Sequence, residues 1–155
     1  MKIVLSQLNY KIGDLDGNVN KMAEHINRAK NDGADIIVFS ELSICGYIPK
    51  DMLNYESFVQ RCYTALDTLK AYANGIAIIA GMPTRSGLTK GKKLYNSAVV
   101  MADGEILQEV HKTLLPTYDV FDEYRYFEPN TSFNLVEYKG VKMAITICED
   151  LWNLD

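Results

Sequence analysis

Four consecutive apolar residues, Ile36-Ile37-Val38-Phe39, constrain this chain more than any other feature. Successive side chains of a strand point to opposite faces, so a run without polar alternation needs cover on both sides. An amphipathic stretch precedes it. Val19, Met22, Ala23, Ile26 and Ala29 fall on one face at helical spacing over residues 18–31, and Gly33 stands at the C-terminal cap position. A second helix is expected over residues 55–73, with Phe58, Val59, Cys62, Leu66, Leu69 and Ala73 on its buried side. Residues 2–8 read as a first strand and 75–82 as a third. Two hairpins follow. The first joins 94–102 to 105–111 through Asp103-Gly104, suited to a type I′ turn, and the second joins 133–138 to 141–148 around Lys139-Gly140. Strand–helix–strand–helix followed by hairpins is a layered α/β sandwich.

The 155 residues fit one domain or a large piece of one, and 48% apolar against 23% charged residues is ordinary globular composition. Intrinsic disorder of the whole chain is excluded. A net charge of −4, from 16 basic and 20 acidic residues, leaves no surplus to neutralise phosphates, so no nucleic-acid partner is expected. Lys90, Lys92 and Lys93 read as a solvated loop. No segment approaches the roughly 20 apolar residues of a membrane span, and residues 1–7 lack the pattern of a secretory signal. Three cysteines, Cys45, Cys62 and Cys148, form no pairing framework, so a cytoplasmic location without disulfides is expected. His25 and His111 stand apart with no cysteine pair nearby, so no metal site is expected. Gly87-Leu88-Thr89-Lys90-Gly91-Lys92-Lys93 is one residue short between its glycines for a phosphate-binding loop, and no Gly-x-Gly-x-x-Gly occurs. Residues 113–131 form a long irregular stretch whose aromatics, Tyr118, Phe121, Tyr124, Tyr126 and Phe127, argue for a packed, functional loop.

Three polar residues share one context. Glu41 follows the 36–39 run, Lys112 follows the strand ending at residue 111, and Cys148 ends the apolar stretch 141–147. Strand ends of α/β sheets are where clefts form. A thiol of ordinary pKa near 8.5 is mostly protonated at neutral pH and needs a base. A carboxylate whose own pKa is raised by burial can take that proton, and a lysine ammonium can stabilise the oxyanion formed when sulfur attacks an amide or nitrile carbon. Read one at a time, each has a plainer role: Cys148 as a small core residue, Glu41 in a turn, Lys112 as a surface charge. Cys45 and Cys62 read as structural.

Together and in order, Phe39-Ser40-Glu41-Leu42, His111-Lys112-Thr113-Leu114-Leu115-Pro116 and Ile147-Cys148-Glu149-Asp150-Leu151-Trp152 resemble the nitrilase (carbon–nitrogen hydrolase) superfamily, whose signature is a Glu–Lys–Cys triad. The resemblance runs the length of the chain. It implies a nitrilase-like α-β-β-α sandwich, two stacked mixed sheets flanked by helices, of which this chain holds the N-terminal part. Gly46-Tyr47-Ile48-Pro49-Lys50-Asp51-Met52-Leu53, the stretch from Leu115 to Pro129, and Cys148-Glu149-Asp150-Leu151-Trp152 narrow the resemblance to the glutaminase domains of glutamine-dependent NAD⁺ synthetases.

That resemblance implies Glu41 as general base, Lys112 as oxyanion stabiliser and Cys148 as nucleophile in hydrolysis of the glutamine side-chain amide through a thioester. It further implies Tyr118 and Glu149 as glutamine contacts and Glu123 as a second carboxylate that orients Lys112. Nitrilase domains are longer than this chain, which stops seven residues after Cys148. Residues 1–155 are therefore expected to be a partial glutaminase domain. The rest of that domain and the ATP-dependent synthetase domain are expected to be absent. No cofactor is expected in this chain, whereas the parent enzyme would use ATP and Mg²⁺. Exposed sheet edges favour a homo-oligomer. A stand-alone amidase or carbamoylase of the superfamily, or an inactive fragment of one, is the alternative.

Overall fold

A computed structural model of the chain describes residues 1–152, so the last residues of the expected 1–155 domain lie outside the described residues. Five strands form the main sheet: β1 Ile3–Ser6, β2 Ile36–Phe39, β3 Ala77–Arg85, β4 Leu94–Ala102 and β5 Glu105–His111. They lie side by side in chain order. β1, β2 and β3 run parallel, while β3–β4 and β4–β5 are antiparallel, so the sheet is mixed.

The parallel half needs crossovers, and two helices supply them: α1 Leu15–Asn31 and α2 Glu56–Lys70. α1 begins earlier than its apolar stripe suggests. Asp14 caps it, accepting a hydrogen bond from Gly17 N at 3.1 Å, and Leu15 is already buried. Its far end closes as a Schellman motif: Gly33 (φ +68°) donates to Lys30 O and Ala34 to Ala29 O, each at 2.9 Å.

β2 is covered on both faces, as its composition requires. Ile37 and Phe39 pack with Met22, Ile26, Leu66 and Leu69 of the helical layer. Ile36 packs on the opposite side with Ala77, Ile79, Ala98 and Val100. Over that second face lies an antiparallel pair, β6 Val136–Tyr138 and β7 Val141–Met143, contributing Val136 and Tyr138 to the same cluster. The described layers therefore run helix, mixed sheet, hairpin. Among the described residues no helix is long and apolar enough to cross a membrane.

The two turns have the expected form. Asp103 and Gly104 take φ of 52° and 79°, and Lys139 and Gly140 take 48° and 74°, the left-handed pair of a type I′ turn. Several expected boundaries differ. β3 runs on to Arg85 through Pro83, which a central strand would not tolerate. Its last residue paired with β2 is Ile79, opposite Val38, so at Pro83 one side of β3 is already an edge. β6 and β7 are each shorter than their apolar runs, and Cys148 opens a 3-10 turn, Cys148–Leu151, instead of ending a strand. Among the described residues no strand offers residues 144–147 a hydrogen-bonding ladder. The aromatics of the 113–131 stretch also divide. Phe127 is fully buried and bridges to Leu94, whereas Tyr118 and Tyr124 stand exposed.

The helical layer bears on the sheet mainly through side chains like Ile26, which has no exposure at all. Ile26→Ala is expected to cost about 2–5 kcal/mol in chemical denaturation, as for other buried aliphatic truncations. Glu24→Ala, on the exposed side of the same helix, should stay within about 0.5 kcal/mol.

Candidate active site

Glu41 leaves the end of β2 on a turn that the neighbouring strand holds shut. Gly81 N donates to Ser43 Oγ at 3.1 Å, and Ile44 N donates to Gly81 O at 3.0 Å. A Cβ at position 81 would lie 2.3 Å from Leu42 N, so only glycine lets β3 approach this closely. Leu42 itself adopts φ 48°, a left-handed conformation uncommon for a bulky residue and kept only where the surroundings enforce it.

Lys112 follows β5 and its side chain is fully buried. Its Nζ lies 2.7 Å from Glu41 Oε1 and 2.8 Å from Glu123 Oε2. Glu123 reaches it from a 3-10 turn, Glu123–Arg125, within the long irregular stretch. The Glu41 side chain keeps 14% of its surface exposed, while Glu123 keeps 1%. Two further residues complete the cluster. Asn96 Nδ2 donates to Glu41 Oε1 at 2.6 Å and lies 3.4 Å from Glu123 Oε2, while Asn96 O accepts from Lys112 N at 2.8 Å. Tyr47 donates its hydroxyl to Glu123 Oε1 at 2.7 Å. Asn96 Oδ1 is buried without a partner.

One cation between two carboxylates leaves a buried excess of negative charge, which sets the protonation behaviour. Burial pushes the Glu41 carboxyl above its ordinary range, and Glu123 adds to this, against the opposing pull of Lys112 and the hydrogen bond from Asn96. Burial alone would pull the Lys112 ammonium down, but Glu41 and Glu123 outweigh it and hold it up. Lys112 therefore remains a cation and a donor. The Cys148 thiol is raised by burial and by Glu41, so it rests protonated opposite a carboxylate suited to take its proton.

Glu41 and Cys148 line one small cleft of about 110 Å³, closed by Gly81, Ser97 and Ile147. Tyr118 and Glu149 pair with each other, hydroxyl to carboxylate at 2.8 Å. They line a larger, more open cleft of about 500 Å³ with Pro129 and Trp152. The structure thus brings Glu41, Lys112, Glu123 and Cys148 together and places Tyr118 and Glu149 in the larger cleft, Glu149 directly after Cys148. Cys45 and Cys62 are fully buried, whereas Cys148 is an exposed residue whose thiol is only partly desolvated in the cleft. Asn96 and Tyr47 were not foreseen. The signal for Asn96 is the polar pair Asn96-Ser97 inside an otherwise apolar strand; Tyr47 has none, being 76 positions from its partner.

Comparison with known proteins identifies the family. The family model described as carbon-nitrogen hydrolase matches residues 2–154, and the chain belongs to that family. It is 45% identical over 155 residues to the glutamine-dependent NAD(+) synthetase of Synechocystis sp., covering 97% of this chain and 28% of the relative. The corresponding protein of Acinetobacter baylyi is 40% identical over 154 residues, covering 99% of this chain and 28% of the relative. Among solved structures, the glutamine-dependent NAD+ synthetase from Acinetobacter baumannii superimposes with a TM-score of 0.85 at 37% identity, over 98% of this chain and 28% of that one. An amidase from Nesterenkonia sp. gives 0.79 at 21% identity, over 96% of this chain and 55% of that one, a likeness of fold. The chain spans little more than a quarter of the length of the synthetases it matches.

The Asn96 amide stabilises the charged form of Glu41. Asn96→Ala should therefore raise the Glu41 pKa, seen as a shift of the midpoint of its side-chain carboxyl ¹³C titration to higher pH. An unmoved titration would show that the hydrogen bond has no influence on the base.

Proposed function

We propose that this chain carries glutamine-hydrolysing chemistry that supplies ammonia to the amidation of deamido-NAD⁺. The observation that supports it most is the Lys112 ammonium held between Glu41 and Glu123 beside Cys148, in a chain 45% identical to a glutamine-dependent NAD(+) synthetase. Cys148 Sγ attacks the side-chain amide carbon of glutamine while Glu41 accepts the thiol proton. The developing oxyanion is stabilised by the Lys112 ammonium, which Glu123 and Tyr47 keep in place, and by the backbone N–H of Glu149. Glu41 returns the proton to the amide nitrogen, the C–N bond breaks, and ammonia leaves a γ-glutamyl thioester. Glu41 then takes a proton from water, which attacks the thioester, and the proton passes to the departing sulfur. Tyr118 and Glu149, at the mouth of the larger cleft, are the side chains offered to glutamine. The ammonia is consumed by an ATP- and Mg²⁺-dependent synthetase domain, in a cytoplasmic enzyme that works as a homo-oligomer.

Two outcomes test this in the full-length natural chain. Cys148→Ala, Glu41→Gln and Lys112→Ala should each lower glutamine-dependent NAD⁺ formation by at least about 1,000-fold while sparing synthesis from free ammonia. Loss of both activities would assign these residues to folding. The acid limb of glutamine hydrolysis should report Glu41. Because its folded-state pKa is raised, the base form appears only above the ordinary carboxyl value of about 4.3, so the limb should lie on the alkaline side of that value. A limb at or below it would remove Glu41 as the base.

A further inference from the structure

Asp150 binds the two halves of the site to each other. Its Oδ1 accepts from Thr113 N at 3.0 Å and from Leu114 N at 2.9 Å, the residues directly after Lys112. Its Oδ2 accepts from Ile147 N at 3.0 Å, the residue directly before Cys148. One carboxylate therefore joins the backbone leaving the lysine to the backbone entering the cysteine, two segments with no ladder between them. The bond to Ile147 also closes the turn in which Cys148 takes φ 47°, a conformation a non-glycine residue holds only when its surroundings enforce it. Three N–H donors on one carboxylate is more than a solvated turn requires.

We propose that Asp150 is the positioning residue that sets the approach of the Cys148 sulfur to the Lys112 ammonium, acting through the Ile147 and Thr113-Leu114 backbones. The inference rests on the reading of Lys112 and Cys148 as partners in one reaction. An amide in place of the carboxylate keeps the shape but turns an N–H donor toward one of the three backbone donors, so Asp150→Asn can satisfy one strand end only. Asp150→Glu keeps the charge and displaces it by one methylene. Sub-ångström placement of reacting groups governs rate far more than affinity.

Both variants, made in the full-length natural chain, should lower kcat for glutamine hydrolysis by about 100-fold with KM within about threefold. A second measurement needs no glutamine: the pH profile of Cys148 alkylation by iodoacetamide, followed by intact mass on protein shown by circular dichroism to be folded. Burial and Glu41 hold this thiol above its ordinary value. Release of the turn should bring the alkylation pKa down toward the free-cysteine value of about 8.5. An alkylation profile identical to the parent's, or a kcat that falls only with the folded fraction, would make Asp150 merely structural and overturn the proposal. If the parent chain does not hydrolyse glutamine, the function proposed above fails, and the alkylation profile alone then decides the role of Asp150.

Discussion

The Lys112 ammonium has no exposed surface, and its charge is answered by two carboxylates from opposite parts of the chain. Taking three charges from water is costly, and such clusters persist only where geometry is good and the remaining donors and acceptors are satisfied. Glu41 arrives from the parallel half of the sheet, Lys112 from the antiparallel half, and Glu123 from the irregular stretch, with Asn96 and Tyr47 supplying further hydrogen bonds. Removing one member of such a buried pair typically costs about 3–5 kcal/mol. The cluster therefore does more than sit on the fold. It fastens the long 113–131 stretch to the sheet at the point where the cleft opens.

The same cluster sets a division of labour among its groups. A cation between two anions cannot readily give up its proton, so Lys112 acts as a fixed donor. A carboxyl partly relieved by that cation, yet still raised by burial, is better able to take a proton than an ordinary exposed carboxylate. No histidine is needed. His111 is adjacent in sequence but turns away, its Nδ1 at 2.7 Å from Ser97 Oγ and its ring stacked on Tyr95.

Much of this could be read before any coordinates, and the rest could not, for reasons of locality. β4 and β5 end where the Asp103-Gly104 turn requires, because turn chemistry is written in adjacent residues. Glu41, Lys112 and Cys148 stood out at the ends of expected strands, but each alone had a plainer role, and only the family resemblance joined them into one set. Asn96 was not legible, since an asparagine inside a strand declares its partners only once the register puts it between Glu41 and Lys112. The length of β7 was equally hidden: a strand exists only where a neighbour pairs with it, and that is a property of the sheet. The early start of α1 lay in plain view in Asp14, a capping residue outranked by the apolar stripe that follows it.

Gly81 carries a consequence for how this cleft can change. At Gly81 the wall beside Glu41 is main chain pressed against main chain, with no room for any side chain. Substitution there would push on the Ser40–Leu42 backbone and so displace Glu41 itself. The larger cleft, by contrast, is lined by side chains that can vary, Tyr118, Tyr124 and Glu149 among them. Backbone packing fixes the site at one point, and side-chain variation is left to its other walls.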